Sequence, residues 1–115
     1  MFKYAYLAFA LSVLVAGPCL AHAKLQSSSP PDNGQLTQAP KTLTLNFSEA
    51  AQLAMLKLVS DGKEIVIPID KTAAAAQSCT LPLPVLAPGK YTVQWTALAA
   101  DGHISKGSFA FSIAS

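Results

Sequence analysis

Gly89-Lys90-Tyr91-Thr92-Val93-Gln94-Trp95-Thr96 decides the fold class of this chain. Tyr91, Val93 and Trp95 fall on one side of an extended backbone, and Thr92, Gln94 and Thr96 on the other. An apolar period of two is the mark of a strand with one buried face. Phe109, Phe111 and Ile113 repeat the pattern. Pro88-Gly89 leads into the first of these strands, and Asp101-Gly102, a hairpin signal, separates the two. Upstream, Thr42 to Phe47 alternates in the same way. Met55 to Val59 reads as a strand closed by Asp61-Gly62. Glu64 to Ile69 is β-branched and apolar, with Pro68 marking an edge. Lys24 to Gln26 and Thr80 to Leu83 are shorter candidates. Ser27 to Gly34 reads as a loop, and Ala73 to Ala76 as a loop holding one turn, since four alanines do not nucleate a helix. About seven strands with turn chemistry between them predict an all-β domain. The expected architecture is an antiparallel sandwich or barrel, its interior filled by Trp95 and the phenylalanines.

The first residues read differently. Lys3, an apolar run from Ala5 to Ala16, Gly17-Pro18 and then Cys19-Leu20-Ala21 have the order of a secretory signal, with small residues before a cut after Ala21. The apolar run, at about a dozen residues, falls short of the roughly 20 needed to span a bilayer. The expected division is a signal peptide at 1–21 and one exported domain at 22–115. Removing 21 of the 115 residues leaves 94, enough for a single small domain. A cut after Ala23 also satisfies the small-residue rule. A lipid anchor on Cys19 is a further alternative, which Pro18 before the cysteine disfavours.

Charge excludes some partners. All eight basic residues are lysines, against six acids, with no basic run and no interleaving of basic and aromatic residues. Neither nucleic acid nor a polybasic membrane contact is indicated. Without Cys19, Cys79 is a lone thiol, read as a small buried hydrophobe.

The cut after Ala21 gives His22 a special position. Its new α-amino nitrogen and its imidazole can close a chelate ring on a metal ion. The chain has two histidines, and the second, His103, follows Asp101 by two residues across Gly102. Nitrogen donors from His22 and His103 with an oxygen from Asp101 suit Cu(II) best, by ligand type and affinity order. Each piece also has an ordinary reading: a turn for Asp101-Gly102, a surface residue for His103, a solvated acid at a strand end for Glu49. Met55 and Cys79 are too few to build a soft Cu(I) site.

Several stretches together resemble the CopC family of periplasmic copper-resistance proteins. They are His22-Ala23-Lys24-Leu25, Ser28-Ser29-Pro30, Ala39-Pro40-Lys41, Leu45-Asn46-Phe47-Ser48-Glu49, Leu86 to Trp95, Ala100-Asp101-Gly102-His103 and Gly107-Ser108-Phe109-Ala110-Phe111. Their order runs nearly from His22 to the end of the chain, and Ala51 to Gln77 departs most. The resemblance implies a Greek-key β-sandwich of cupredoxin or immunoglobulin-like type. It implies one Cu(II) ion held by His22, Asp101 and His103, with Glu49 as a fourth ligand or close neighbour. The Met-rich Cu(I) loop of some members has no counterpart here.

The expected function is therefore a monomeric periplasmic carrier or buffer of Cu(II), not an enzyme, with an inner-membrane copper permease of the CopD kind as a partner. Two other readings stand beside it. A metal-free sandwich could pair its edge strands with such a permease. An N-terminal histidine with a second histidine also matches copper monooxygenases, although so small a sandwich offers little surface for a polysaccharide.

Overall fold

The computed structural model describes residues 23–115. They form seven strands and no helix: β1 (Leu25–Ser29), β2 (Gly34–Leu36), β3 (Thr42–Ser60), β4 (Lys63–Val66), β5 (Ala76–Pro82), β6 (Gly89–Ala99) and β7 (Ile104–Ile113). The expected all-β fold is present. His22 and the segment 1–21 lie outside the described residues.

The 19-residue β3 organises the molecule. Its first half, Thr42 to Phe47, lies between β1 and β5, with Leu45 opposite both Ser28 and Cys79. Its second half, Ala51 to Ser60, lies between β6 and β4. One strand thus runs through two layers, β1-β3-β5 and β4-β3-β6-β7-β2. Leu43, Leu45 and Phe47 of the first half are buried, as are Leu56 and Leu58 of the second. The buried positions change from odd to even because the pairing shifts register between Leu53 and Met55, making Ala54 a bulge residue. A one-residue bulge reverses which side chains face inward, so both halves present leucines to one core. Phe47 meets Trp95 edge to face across the layers, with ring centroids 5.3 Å apart.

The outward face of the first layer is a polar ladder. Asn46 donates to Ser27 Oγ at 3.0 Å and accepts from Ser78 Oγ at 2.9 Å, while Thr44 and Thr80 hydroxyls meet at 3.0 Å. Such cross-strand pairs complete the alternation read from Thr42 to Phe47.

Three expectations need correction. Thr42–Phe47 and Met55–Val59 belong to one strand, joined through Ser48 to Ala54. Ser27 to Ser29, expected in a loop, continues β1 because each pairs with β3. The sandwich is not wholly antiparallel: five strand pairs are antiparallel, but β2 runs parallel to β7, with Gly34 opposite Phe111 and Leu36 opposite Ile113. The long link from β2 back to the end of the chain permits that parallel partner. β4 stops at Val66, two residues before Pro68, which lacks the donor to continue a ladder.

Tyr91 ties the β5–β6 connection down. Its hydroxyl donates to the Ala87 carbonyl at 2.7 Å, and its ring stacks on Phe111 with centroids 5.5 Å apart. A buried tyrosine bonded to backbone a few residues upstream is a recurring corner of immunoglobulin-like sandwiches.

Candidate metal centre

The β6–β7 hairpin carries Asp101 and His103. Gly102 N–H donates to Ala99 O at 2.9 Å, and Ala99 N–H donates to His103 O at 2.9 Å. Gly102 has φ of 93°. This is a three-residue loop, a tight turn followed by a left-handed residue, and glycine adopts that conformation without a Cβ penalty. Asp101 stands in the turn with its side chain folded toward His103. Its Oδ1 accepts the His103 backbone N–H at 3.0 Å, and its Oδ2 lies 2.7 Å from His103 Nδ1.

These bonds set the chemistry of the pair. The backbone N–H of His103, and then its ring, hold the Asp101 carboxyl below its usual range. An ionised carboxylate only accepts hydrogen bonds, so Nδ1 carries the proton. In the neutral ring the metal-binding lone pair is then on Nε2. A carboxylate orienting the far nitrogen of an imidazole is the common arrangement behind metal-ligating histidines. Both side chains are partly exposed, at 37% for Asp101 and 56% for His103, so an ion can reach them.

The start of the described chain reaches the same end of the molecule. Lys24 N–H donates to Ser48 Oγ at 2.9 Å, and Ser48 N–H donates back to Lys24 O at 2.7 Å. Ala23, next to His22 in sequence, is fully buried. Three residues beyond Ser48, Ala51 pairs with Ala99, the residue bonded to both Gly102 and His103. Glu49 precedes Ala51 by two residues in β3. One run of main-chain bonds therefore links Lys24, Ser48, Ala51, Ala99 and His103. The Ser48 latch has no sequence signature, because a serine within a strand gives no signal of its own.

Asp101 and His103 are brought together in the hairpin, and Glu49 lies on β3, the strand paired with β6. His22 is outside the described residues, and among those described no three His, Cys, Asp or Glu side chains converge. Cys79 is half-buried in β5, and desolvation pushes its thiol pKa up, so it behaves as the small hydrophobe expected. Met55 lies on β3, at the bulge.

With this geometry in view, residues 25–114 match the family model described as the CopC domain. The chain belongs to the CopC family. Protein YobA of Escherichia coli K12 is 35% identical over 116 residues, covering 96% of this chain and 93% of that protein. Copper resistance protein C of Xanthomonas campestris pv. juglandis is 34% identical, covering 87% of this chain and 86% of that one. The crystal structure of CopC from Methylosinus trichosporium OB3b superposes with a TM-score of 0.69 at 26% identity, covering 81% of this chain and 94% of that one. PcoC, a copper resistance protein from Escherichia coli, superposes with a TM-score of 0.61, also at 26% identity. The coverage is nearly whole on both sides, so this CopC-family chain shares the domain in full. The Asp101–His103 hairpin and Ser48 both lie within the matched span.

Proposed function

We propose that this chain is a periplasmic copper carrier or buffer, exported by a signal peptide at 1–21 and working as the domain 22–115. One Cu(II) ion is its cargo. His22 supplies its α-amino and imidazole nitrogens, His103 supplies a ring nitrogen, and Asp101 supplies charge compensation, with an oxygen for the ion once the carboxylate releases the His103 ring. Glu49 stands as a fourth ligand or a neighbour that adds negative charge. The observation that carries this reading is the carboxylate of Asp101 bonded to both the backbone and the ring of His103, which presets one nitrogen for a metal. Family membership supports copper over other divalent ions, as does the donor set of nitrogen and oxygen.

Two partners follow from the role. Copper is the first. An inner-membrane permease that receives or delivers the ion is the second, with the chain itself a monomer in solution.

The test is a Cu(II) titration of the exported protein, with its first residue read by mass analysis. A free His22 terminus and nitrogen hyperfine coupling in the spectrum of the bound ion are expected. Metal ligands must be deprotonated, and imidazole and α-amino groups ordinarily lose their protons near ~6.5 and ~8. Affinity should therefore fall as pH drops through that range. Equal affinity at neutral and mildly acidic pH, or after one residue is added ahead of His22, would contradict the ligand set.

A further inference from the structure

A groove with a volume of about 690 Å³ opens between β1 and the first half of β7, along stretches that have no strand neighbour on that side among the described residues. Its two walls are Lys24 to Ser28 and Ile104 to Phe109, and the Trp95 indole lies at its floor. Two polar atoms buried against it, Trp95 Nε1 and Ser105 Oγ, have no hydrogen-bond partner among the described residues. Trp95 is 5% exposed, and its N–H can only donate. A buried donor left unpaired forfeits its hydration with nothing in return, so each such atom calls for an explanation.

The main chain of β7 gives a second, independent sign. Ala110 N–H donates to Asp32 Oδ1 at 3.0 Å, and Ala110 O accepts from Asn33 N–H at 2.6 Å. Ala114 N–H donates to Leu36 O at 2.8 Å. Even-numbered residues of β7 thus direct their main-chain groups away from β6. In an extended strand this alternates strictly, so Ile104, Lys106 and Ser108 direct theirs into the groove. Among the described residues no strand pairs with that stretch, because β2 reaches only Phe111 to Ile113. β1 likewise pairs with β3 alone. Exposed strand edges are usually blunted or covered, and this one is left open beside an aromatic floor.

Charge selects the occupant. Lys24 and Lys106 are exposed on opposite walls. The one acid in the lining, Asp32, already accepts the Ala110 N–H. The orphan donors and both lysines call for acceptors and negative charge, while the open edge calls for a backbone. We infer that this groove binds an extended acidic peptide segment of a partner protein, added as a strand along β7, with one acceptor reaching Trp95 Nε1 and Ser105 Oγ. The open stretch, at ~3.3 Å per residue, accommodates roughly five residues. Main-chain bonds supply affinity in such additions, and side-chain pockets supply choice. Ala23 and Ile104, in the groove lining, adjoin His22 and His103 in sequence. A docked segment would therefore end near the β6–β7 hairpin, yet its binding stands without the metal.

Trp95 is the sole tryptophan, so its fluorescence reports directly on the groove. The experiment titrates metal-free exported protein with the blocked peptide acetyl-Thr-Glu-Val-Glu-Val-Thr-amide. Controls are the same peptide N-methylated at alternate residues and a version with lysine replacing glutamate. The expected result is a saturable change in Trp95 emission with the acidic peptide alone, with affinity lost about tenfold or more on N-methylation. Lys106→Glu, a surface change, should weaken the acidic peptide by about tenfold and improve the lysine version. The inference is overturned if the acidic peptide gives no saturable response, or if the N-methylated peptide binds equally well. It is also overturned if succinate reproduces the response, which would make the groove a small-anion site. A concentration-dependent dimer giving the same emission change in the absence of peptide would assign the groove to a second copy instead. Copper is absent throughout, so failure here leaves the metal reading untouched.

Discussion

The Trp95 indole stands where a side chain on Gly107 would have to go. These residues are cross-strand partners, and a β-carbon at Gly107 would lie 2.5 Å from Trp95 Cζ2 and 2.9 Å from Nε1. Gly107 is needed for space and not for backbone freedom, since its φ is not left-handed.

Gly107→Ala should therefore force the indole or β7 to shift. Overpacking of this kind costs about 1–3 kcal/mol. Urea unfolding followed by Trp95 emission would register a lower midpoint and an altered native spectrum. An unchanged midpoint would mean that the indole has room to turn aside.

Tyr91 joins the chain leading into β6 to the core through one hydroxyl, bonded to Ala87 O at 2.7 Å. Tyr91→Phe keeps the stacking on Phe111 and removes only that bond. Ala87 is exposed, so its carbonyl can turn to water, and loss of this part-buried bond costs about 0.5–1.5 kcal/mol. Tyr91→Leu should cost more, because the aromatic contact goes as well. Equilibrium unfolding of the two variants separates the contributions.

The strands that carry both periodicity and turn signals are readable from residues alone. Tyr91 to Thr96 and Phe109 to Ile113 alternate without interruption and flank Asp101-Gly102, so β6, β7 and their hairpin follow from a period of two. β3 is not readable as one strand. Ser48-Glu49-Ala50 interrupts its apolar alternation where it passes between layers, and the bulge at Ala54 then reverses its parity. β2 is invisible for another reason. It has three residues, and its partner strand is far away in sequence, so nothing local marks it. At the site, the pairing of Asp101 with His103 follows from their spacing across a glycine. The latch between Lys24 and Ser48 does not, since it depends on β1 lying against β3.

Cys79 offers a check on the core of the first layer. Burial raises its pKa above the ordinary thiol value, so at neutral pH the reactive thiolate is scarcer than in free cysteine. Iodoacetamide attacks through the thiolate, so it should modify Cys79 several-fold more slowly than it modifies a short cysteine peptide. Adding urea through the unfolding transition should abolish the difference. Equal rates under native conditions would place the thiol in open solvent.

Asp101→Asn tests whether the carboxylate matters through charge and tautomer. Asparagine can still accept the His103 backbone N–H, so the turn persists. It carries no negative charge to hold a proton on Nδ1, and its amide can present a donor there instead. The ring then loses its preference for offering Nε2. Substituting an orienting carboxylate of this kind typically lowers metal affinity about 10–100-fold. The effect has a pH signature as well. The folded-state pKa of Asp101 is depressed, so its contribution is present above the ordinary aspartate range and is lost as pH falls through the lower folded value. The wild-type chain should thus keep the Asp101–His103 contact into mildly acidic solution, observable as a carboxyl carbon shift that titrates below that of an unstructured aspartate. Cu(II) titration of the variant at neutral pH, beside a thermal scan showing a nearly unchanged midpoint, separates loss of orientation from loss of fold. Undiminished copper affinity in the folded variant would remove Asp101 from the site.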